Sequence, residues 1–426
     1  MSACSDNTSS DTPPKDLPAS DAGPADGDQA NMCAERETQG VSKPNMAAPG
    51  ECPSGEFNAE GMCLPSQPSS PQPVGWDCPA GWSSTSALSL VDQTDTTPEQ
   101  TTRELLASST VCLPPELPES CPQGQMAVLG QGCVPLGMAC PQGDEPFHDV
   151  STLRQRTTQG LIRPDDPSPP YQGQVWYVLP GASGDGSREQ PWGTIAQALE
   201  AADDGDLIAL GAGEYLEEFS VQKQVAIVGA CVQQTTLRAP DPDERRATVR
   251  ITSRAGTWLS DVTITGERPG IAVGSDSQGA VHLQSVVVEY ATATGVLILG
   301  ARDVRAADMA IHHTQPRPSD RTLGYGLSVQ SGGVLEGERL HISHNYDAGL
   351  FATDSDTQTT FRDLIVTHTQ PQQSSANYGW GVCVQDGAVL EGERLLLSHN
   401  HDVGLFLALA GARATVEDLV ITHTQP

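Results

Sequence analysis

From Val175 onward the apolar residues come in short runs that alternate with polar ones, a period of two and not of 3.6. In "RLHIS", Leu340 and Ile342 share a face. Leu364 and Val366, Leu395 and Leu397, and Leu419 and Ile421 repeat the arrangement further on. Each run has room for one strand only, so the pattern predicts many short strands. One helical stretch interrupts it: between Thr194 and Ala202, the residues Ile195, Ala198, Leu199 and Ala202 fall on one face at i, i+3, i+4 and i+7.

The strands recur at a fixed interval. The tetrapeptide His-Thr-Gln-Pro begins at His313, His368 and His423 (368 − 313 = 55; 423 − 368 = 55). "GLSVQSGGVLEGERLHISHNYDA" (326–348) returns as "GVCVQDGAVLEGERLLLSHNHDV" (381–403), and the segments between them match in the same way. Each repeat holds two coils, a plain one and a longer one with an extra loop, and coils start at Gly295, Gly326, Gly349, Gly381 and Gly404. Fixed-period self-similarity of this kind marks a solenoid. Apolar residues at matching positions then stack into a continuous core, with helix 194–202 capping the front. Pro426 follows directly on a strand with the repeat unfinished. The expectation is a fragment, or a last coil that packs on another chain and self-associates through its open end.

The stretch opening this region carries Gly186, Ser187, Pro191, Gly193, Thr194, Ile195, Ala198, Leu199, Gly205, Asp206, Ile208, Gly213 and Tyr215. That series resembles the entry to the first coils of the pectin-lyase-like superfamily of right-handed parallel β-helix proteins, and the resemblance covers about residues 175–426. It implies an all-β fold, a right-handed parallel β-helix with a short N-terminal capping helix. It does not imply an activity, because the fold hosts enzymes, adhesins and structural proteins alike.

Ahead of the solenoid the texture differs. Residues 1–32 are polar and rich in Pro and Ser, with no means of forming a core, and read as a disordered tether. Met1-Ser2-Ala3-Cys4 resembles the end of a bacterial lipobox, with Cys4 as the lipidated residue; the alternative is a cytosolic start with a chance cysteine. Residues 33–145 form a Cys-rich disulfide region in which Cys-Pro-x-Gly is followed by Cys-x-Pro three times. Local pairing gives Cys52–Cys63, Cys78–Cys112 and Cys121–Cys133, leaving Cys33 for Cys140 and leaving Cys231 and Cys383 as free thiols. Sequence alone leaves other connectivities open. Residues 146–172 read as a Pro-rich linker, and 173–426 as the β-helix.

With 54 acidic against 23 basic residues and a net charge of −31, nucleic acid is excluded as a partner. No apolar run reaches the ~18 residues of a transmembrane helix, so a membrane enters only through a lipid anchor. Clustered cysteines point to an oxidising compartment. The location expected is the bacterial cell surface, as an outer-membrane lipoprotein, or the extracellular space.

Chemistry is sparse. Asp308, Arg339, Asp363, Arg394 and Asp418 precede the first core position of successive coils and are expected to pair across neighbouring strands. His313, His344, His368, His399 and His423 should form a column at one corner, ~4.8 Å apart. Such a column either binds a transition metal or hydrogen-bonds the turn beside Asn345 and Asn400; the second reading is preferred and no metal is assigned. The extra loops end on Tyr325 and Trp380, which with Tyr378 are candidate contacts for sugar rings; covering the core edge is the plainer alternative. Asp354 and Asp356 are the nearest approach to a carboxylate pair, and no catalytic residue is assigned. The leading expectation is a non-catalytic surface or secreted β-helix protein binding glycans or other surface partners, with no cofactor. The alternative is a polysaccharide lyase or glycoside hydrolase acting on acidic polysaccharides, where calcium would enter.

Overall fold

A strand with one buried side needs neighbours in register, and repeated coils supply them. The computed structural model describes Cys78 and residues 81–86, 110–118, 120–143, 145–158 and 171–425. From Val175 the chain is a right-handed parallel β-helix. One sheet of short strands runs in sequence order through Phe219–Val221, Val249–Ile251, Ile271–Val273, Thr294–Leu299, Tyr325–Gln330, Ala348–Ala352, Trp380–Gln385 and Leu405–Ala408. The remaining strands form a second parallel stack that is bent into two faces. In the early coils the third face has its own strands, Gly213–Leu216 and Thr235–Arg238. From Thr257–Thr265 onward, one long strand per coil spans both faces.

The bend has a backbone cause. Each long strand carries one residue in the left-handed region: Asp261, Ser285, Asp308, Arg339, Asp363, Arg394 and Asp418, with φ between 50 and 59°. Ladder pairing skips that residue, passing for example from Ala307↔Glu338 to Met309↔Leu340. Inward side chains on both sides of the bend therefore meet in the core. Leu340, Ile342, Leu364, Val366, Leu395 and Leu397 are all buried, each contributing roughly 1.5–3 kcal/mol. In the last described coil Leu419 is only partly covered and Ile421 is 45% exposed.

The front cap is helix α2, Ile195–Ala201, preceded in the chain by α1, Val150–Arg156. Thr194 caps α2, its hydroxyl accepting from the Gln197 N–H, and Ile195, Ala198 and Ala202 close the core's first cross-section.

The described part of the Cys-rich region packs on the solenoid. Two antiparallel hairpins, Ser83–Ser86 with Thr110–Leu113 and Gln125–Val128 with Gly132–Pro135, lie over the outer side of the solenoid's third face. Trp82, Ala127 and Leu129 pack on Ile365 and Leu396. Met126, Val128 and Leu136 pack on Val232 and Ala310. Outward residues that would be wetted in a bare solenoid thus form a second, flat core.

Three expectations are corrected here. Cys140 bonds Cys231, not Cys33, because the cover folds back and brings their Cα atoms to 5.0 Å. Cys231 is accordingly not a free thiol, while Cys383 is free and buried. Cys78–Cys112 and Cys121–Cys133 are formed. Cys4, Cys33, Cys52 and Cys63 lie outside the described residues. The stretch 146–172 is more than a linker, since Phe147, Leu153 of α1 and Tyr171 are buried against Tyr177, Leu207 and Trp258.

One buried ion pair fixes the cover's end. The Asp261 carboxylate, fully inaccessible at a corner, accepts from Arg156 Nε at 2.6 Å and from the Met138 N–H at 2.7 Å. Arg156 also donates to Ser285 Oγ. Removing the guanidinium leaves a buried carboxylate without its counter-charge. Arg156→Leu is expected to cost roughly 3–5 kcal/mol in urea unfolding, and a loss below about 1 kcal/mol would contradict this role.

Candidate functional site

Along the short-strand sheet the outward positions stack in register as Ser220, Arg250, Ala272, Leu297, Ser328, Phe351, Cys383 and Phe406. Tyr325 and Trp380 enter the same face at the first residue of their strands, where the two extra loops end. Each leans toward the next coil. The Tyr325 ring stacks on Phe351 at 4.7 Å, and Trp380 stacks on Phe406 at 4.5 Å. Tyr378 meets Trp380 edge-on at 4.8 Å. The repeat therefore produces the same aromatic pair twice, two coil rises or ~10 Å apart. Ser328 and Cys383 are completely buried at this outward face. Burial, with the nearby Asp347 charge, pushes the Cys383 thiol up to about 12, which leaves it unreactive.

The loops that carry the aromatics are fixed. Asp320 accepts from Arg317 Nε, Thr322 N–H and Thr322 Oγ1. The Ser374 N–H donates to the Arg321 carbonyl, joining one loop to the next. Asp347 is buried beneath them and accepts from Gln372 Nε2 at 2.8 Å. Burial raises its carboxyl to about 6, with the Gln372 hydrogen bond pulling the other way. Asp402, its equivalent one repeat on, accepts from Trp380 Nε1 at 3.3 Å.

Of the residues singled out in the sequence, Tyr325, Tyr378 and Trp380 come together on this face. Phe351 and Phe406 belong with them and were missed, although Gly-Leu-Phe recurs at 349–351 and 404–406. Asp354 and Asp356 stay apart from the face: both have positive φ in a turn, and Asp354 caps the Ser331 N–H at 2.8 Å.

The Asp–Arg series does pair across neighbouring strands, at a corner that the ladder itself skips. Arg339 binds Asp308 through two nitrogens, and Arg394 binds Asp363 likewise. Glu338 and Glu393 engage the same guanidiniums.

The five histidines do stack. From His313 to His423 the ring centroids are 4.9, 4.7, 4.8 and 4.5 Å apart, and Tyr290 continues the column at 5.1 Å from His313. All six have φ between 51 and 58°. Parallel rings aim their nitrogens the same way and cannot converge on one ion. Among the described residues no group of three or more His, Cys, Asp or Glu side chains is placed to hold a metal. Buried beside the column, Asn345 accepts from the Thr314 N–H and donates to the Ile311 carbonyl. Asn400 does the same for Thr369 and Val366.

No protein-family model and no curated protein sequence matches the chain. Among solved structures it is similar to pectate lyase Pel9A, with 14% identity and a TM-score of 0.47 over 58% of this chain and 78% of that one. It is similar to the pectin methylesterase PemA from Erwinia chrysanthemi, with 11% identity and a TM-score of 0.36 over 54% and 80%. A pectin methylesterase in complex with a hexasaccharide gives 11% identity and a TM-score of 0.37 over 56% and 92%.

The histidines set a pH response. Burial lowers His282, His312 and His341 to about 4, with neighbouring imidazoles adding to the effect at His312 and His341. His313, His344, His368 and His399 are lowered too, mainly by burial. An unfolded histidine takes up its proton near pH 6.5 while the folded one stays neutral, so acid favours unfolding. Asp347, Glu217 and Glu289 act oppositely, since carboxyls raised by burial cost stability as they ionise, but they are three groups against seven. Urea midpoints are expected to hold above pH 7 and to fall steadily from pH 6.5 to 4. A midpoint unchanged over that range would contradict a set of histidines that burial holds neutral in the folded chain.

Proposed function

We propose that this chain is an exported, non-catalytic solenoid whose short-strand face binds a glycan chain. The observation that carries the reading is the aromatic pair, Tyr325 on Phe351 and Trp380 on Phe406, presented twice on one outward face by rigid loops. Sugar rings stack their apolar faces on such platforms, and a repeated platform suits a repeating polymer. Disulfides at Cys78–Cys112, Cys121–Cys133 and Cys140–Cys231 support an oxidising compartment. Among the described residues no helix is long and apolar enough to cross a membrane. Surface attachment through Cys4 remains part of the proposal.

Catalysis on an acidic polysaccharide is the second reading, and Asp347 is what favours it, since a carboxyl near pH 6 suits a general acid. Its position argues against that role. Asp347 is 4% exposed, and its carboxylate is held by Gln372 below the loop. Asp402 and Asp354 are likewise engaged, with Trp380 and Ser331.

Affinity electrophoresis in gels containing soluble polysaccharides tests the proposal. At least one glycan should retard the protein, and Trp380→Ala should weaken that retardation about tenfold, the effect of ~1.4 kcal/mol. Equal retardation of wild type, Trp380→Ala and Tyr325→Ala would remove the aromatic pairs from the account.

A further inference from the structure

A separate cavity of about 870 Å³ opens at the corner where the third face turns into the short-strand sheet. Four successive coils build it. The coils that end at Glu267 and Tyr290 turn tightly here, whereas the loops after Arg238 and after Gln315 are long and form walls on either side. The walls are tied together, because the Ser319 N–H of one loop donates to Glu244 of the other at 3.1 Å.

The lining has the chemistry of a sugar site. Tyr290 is 52% exposed, the one aromatic among the large side chains most open to solvent in the described residues. Its ring is set in place by stacking on His313, and its own N–H donates to the His312 carbonyl. The Tyr290 hydroxyl and the Glu267 carboxylate meet no hydrogen-bond partner among the described residues. Around them stand Asp243, Glu244, Arg245 and Gln315. Gln315 donates from its side-chain amide to the His313 carbonyl, which leaves the amide oxygen as an acceptor in the lining. An aromatic platform ringed by carboxylates and an amide oxygen offers apolar stacking together with acceptors for hydroxyl groups.

Charge selects the class of ligand. Three carboxylates against one guanidinium line this cavity, within a chain of net charge −31. A uronate or sulfated sugar would enter against that field, whereas an uncharged sugar escapes the repulsion and still finds acceptors for its hydroxyls. We propose that the cavity floored by Tyr290 is a second glycan subsite, specific for an uncharged sugar unit. This rests on the glycan reading above, but on residues that the paired aromatics do not share.

Isothermal titration of the full chain with cellohexaose, mannohexaose, chitohexaose and, as the anionic comparison, trigalacturonate decides it. Wild type, Tyr290→Ala, Tyr290→Phe, Glu267→Gln and Trp380→Ala are compared, with thermal midpoints confirming that each is folded. One of the neutral hexasaccharides should bind. Tyr290→Ala should weaken that binding about tenfold or more, and Tyr290→Phe should largely restore it. Glu267→Gln, at an exposed residue without an ion pair among the described residues, should also weaken it, and it carries the test if Tyr290→Ala fails to fold. Binding that Tyr290→Ala and Glu267→Gln leave intact overturns the proposal. So does a preference for trigalacturonate, or no neutral binding at all. Loss in Trp380→Ala alone overturns this subsite while leaving the paired-aromatic face standing.

Discussion

From Thr257–Thr265 onward the coils of this solenoid turn on residues held in the left-handed region, and the architecture depends on their falling at the same places each time. One column runs through Asp261, Asp308, Arg339, Asp363 and Arg394, the other through Tyr290 and the five histidines. A side chain in that conformation costs roughly 1–2 kcal/mol, so each corner needs something in return. At the first column it is charge: Arg339 on Asp308, Arg394 on Asp363, and Arg156 reaching in from the cover to Asp261. At the second it is stacking and the buried Asn345 and Asn400, which tie one coil's backbone to the next. Corners in register let the leucines and isoleucines between them form one core, and that core far outweighs the strain.

The same regularity explains the surface. Identical corners force equivalent loops to leave at equivalent places, so the aromatic pair at Tyr325 and Phe351 must reappear at Trp380 and Phe406. Where loops are long they wall grooves, and where the coils between them turn tightly they expose a floor such as Tyr290. Such a surface is a row of similar contacts along one axis, which suits an extended polymer better than a compact substrate. The cover contributes in the opposite sense: by burying Ile365, Leu396 and Ala310 it removes the third face from interaction and leaves the short-strand face free.

What was legible in the sequence follows from what repeats. Coil register was readable because Leu340, Leu364, Leu395 and Leu419 recur in matched context, and they are ladder partners. The helix cap was readable because Thr194 precedes an amphipathic turn. Phe351 and Phe406 were within reach of the same comparison. The pairing of Arg339 with Asp308 and of Arg394 with Asp363 across neighbouring strands was legible too. Their seat at a corner was not, because alternation assumes an extended strand and nothing local marks Arg339 or Asp363 as left-handed; glycine, the usual sign, is absent there. Cys140–Cys231 was hidden for a different reason. It closes 91 residues, and only the fold-back of the hairpins onto the third face brings the two cysteines together.

The central claim is that this face holds glycan without transforming it. The most direct measurement is prolonged incubation with a panel of neutral and acidic polysaccharides, following bound protein by co-sedimentation alongside reducing ends, unsaturated products and released methanol. The account predicts retention on at least one polymer with none of the three products above the protein-free control. Product that accumulates in proportion to protein, and disappears in Asp347→Asn, would contradict it and make this buried carboxyl a catalytic acid.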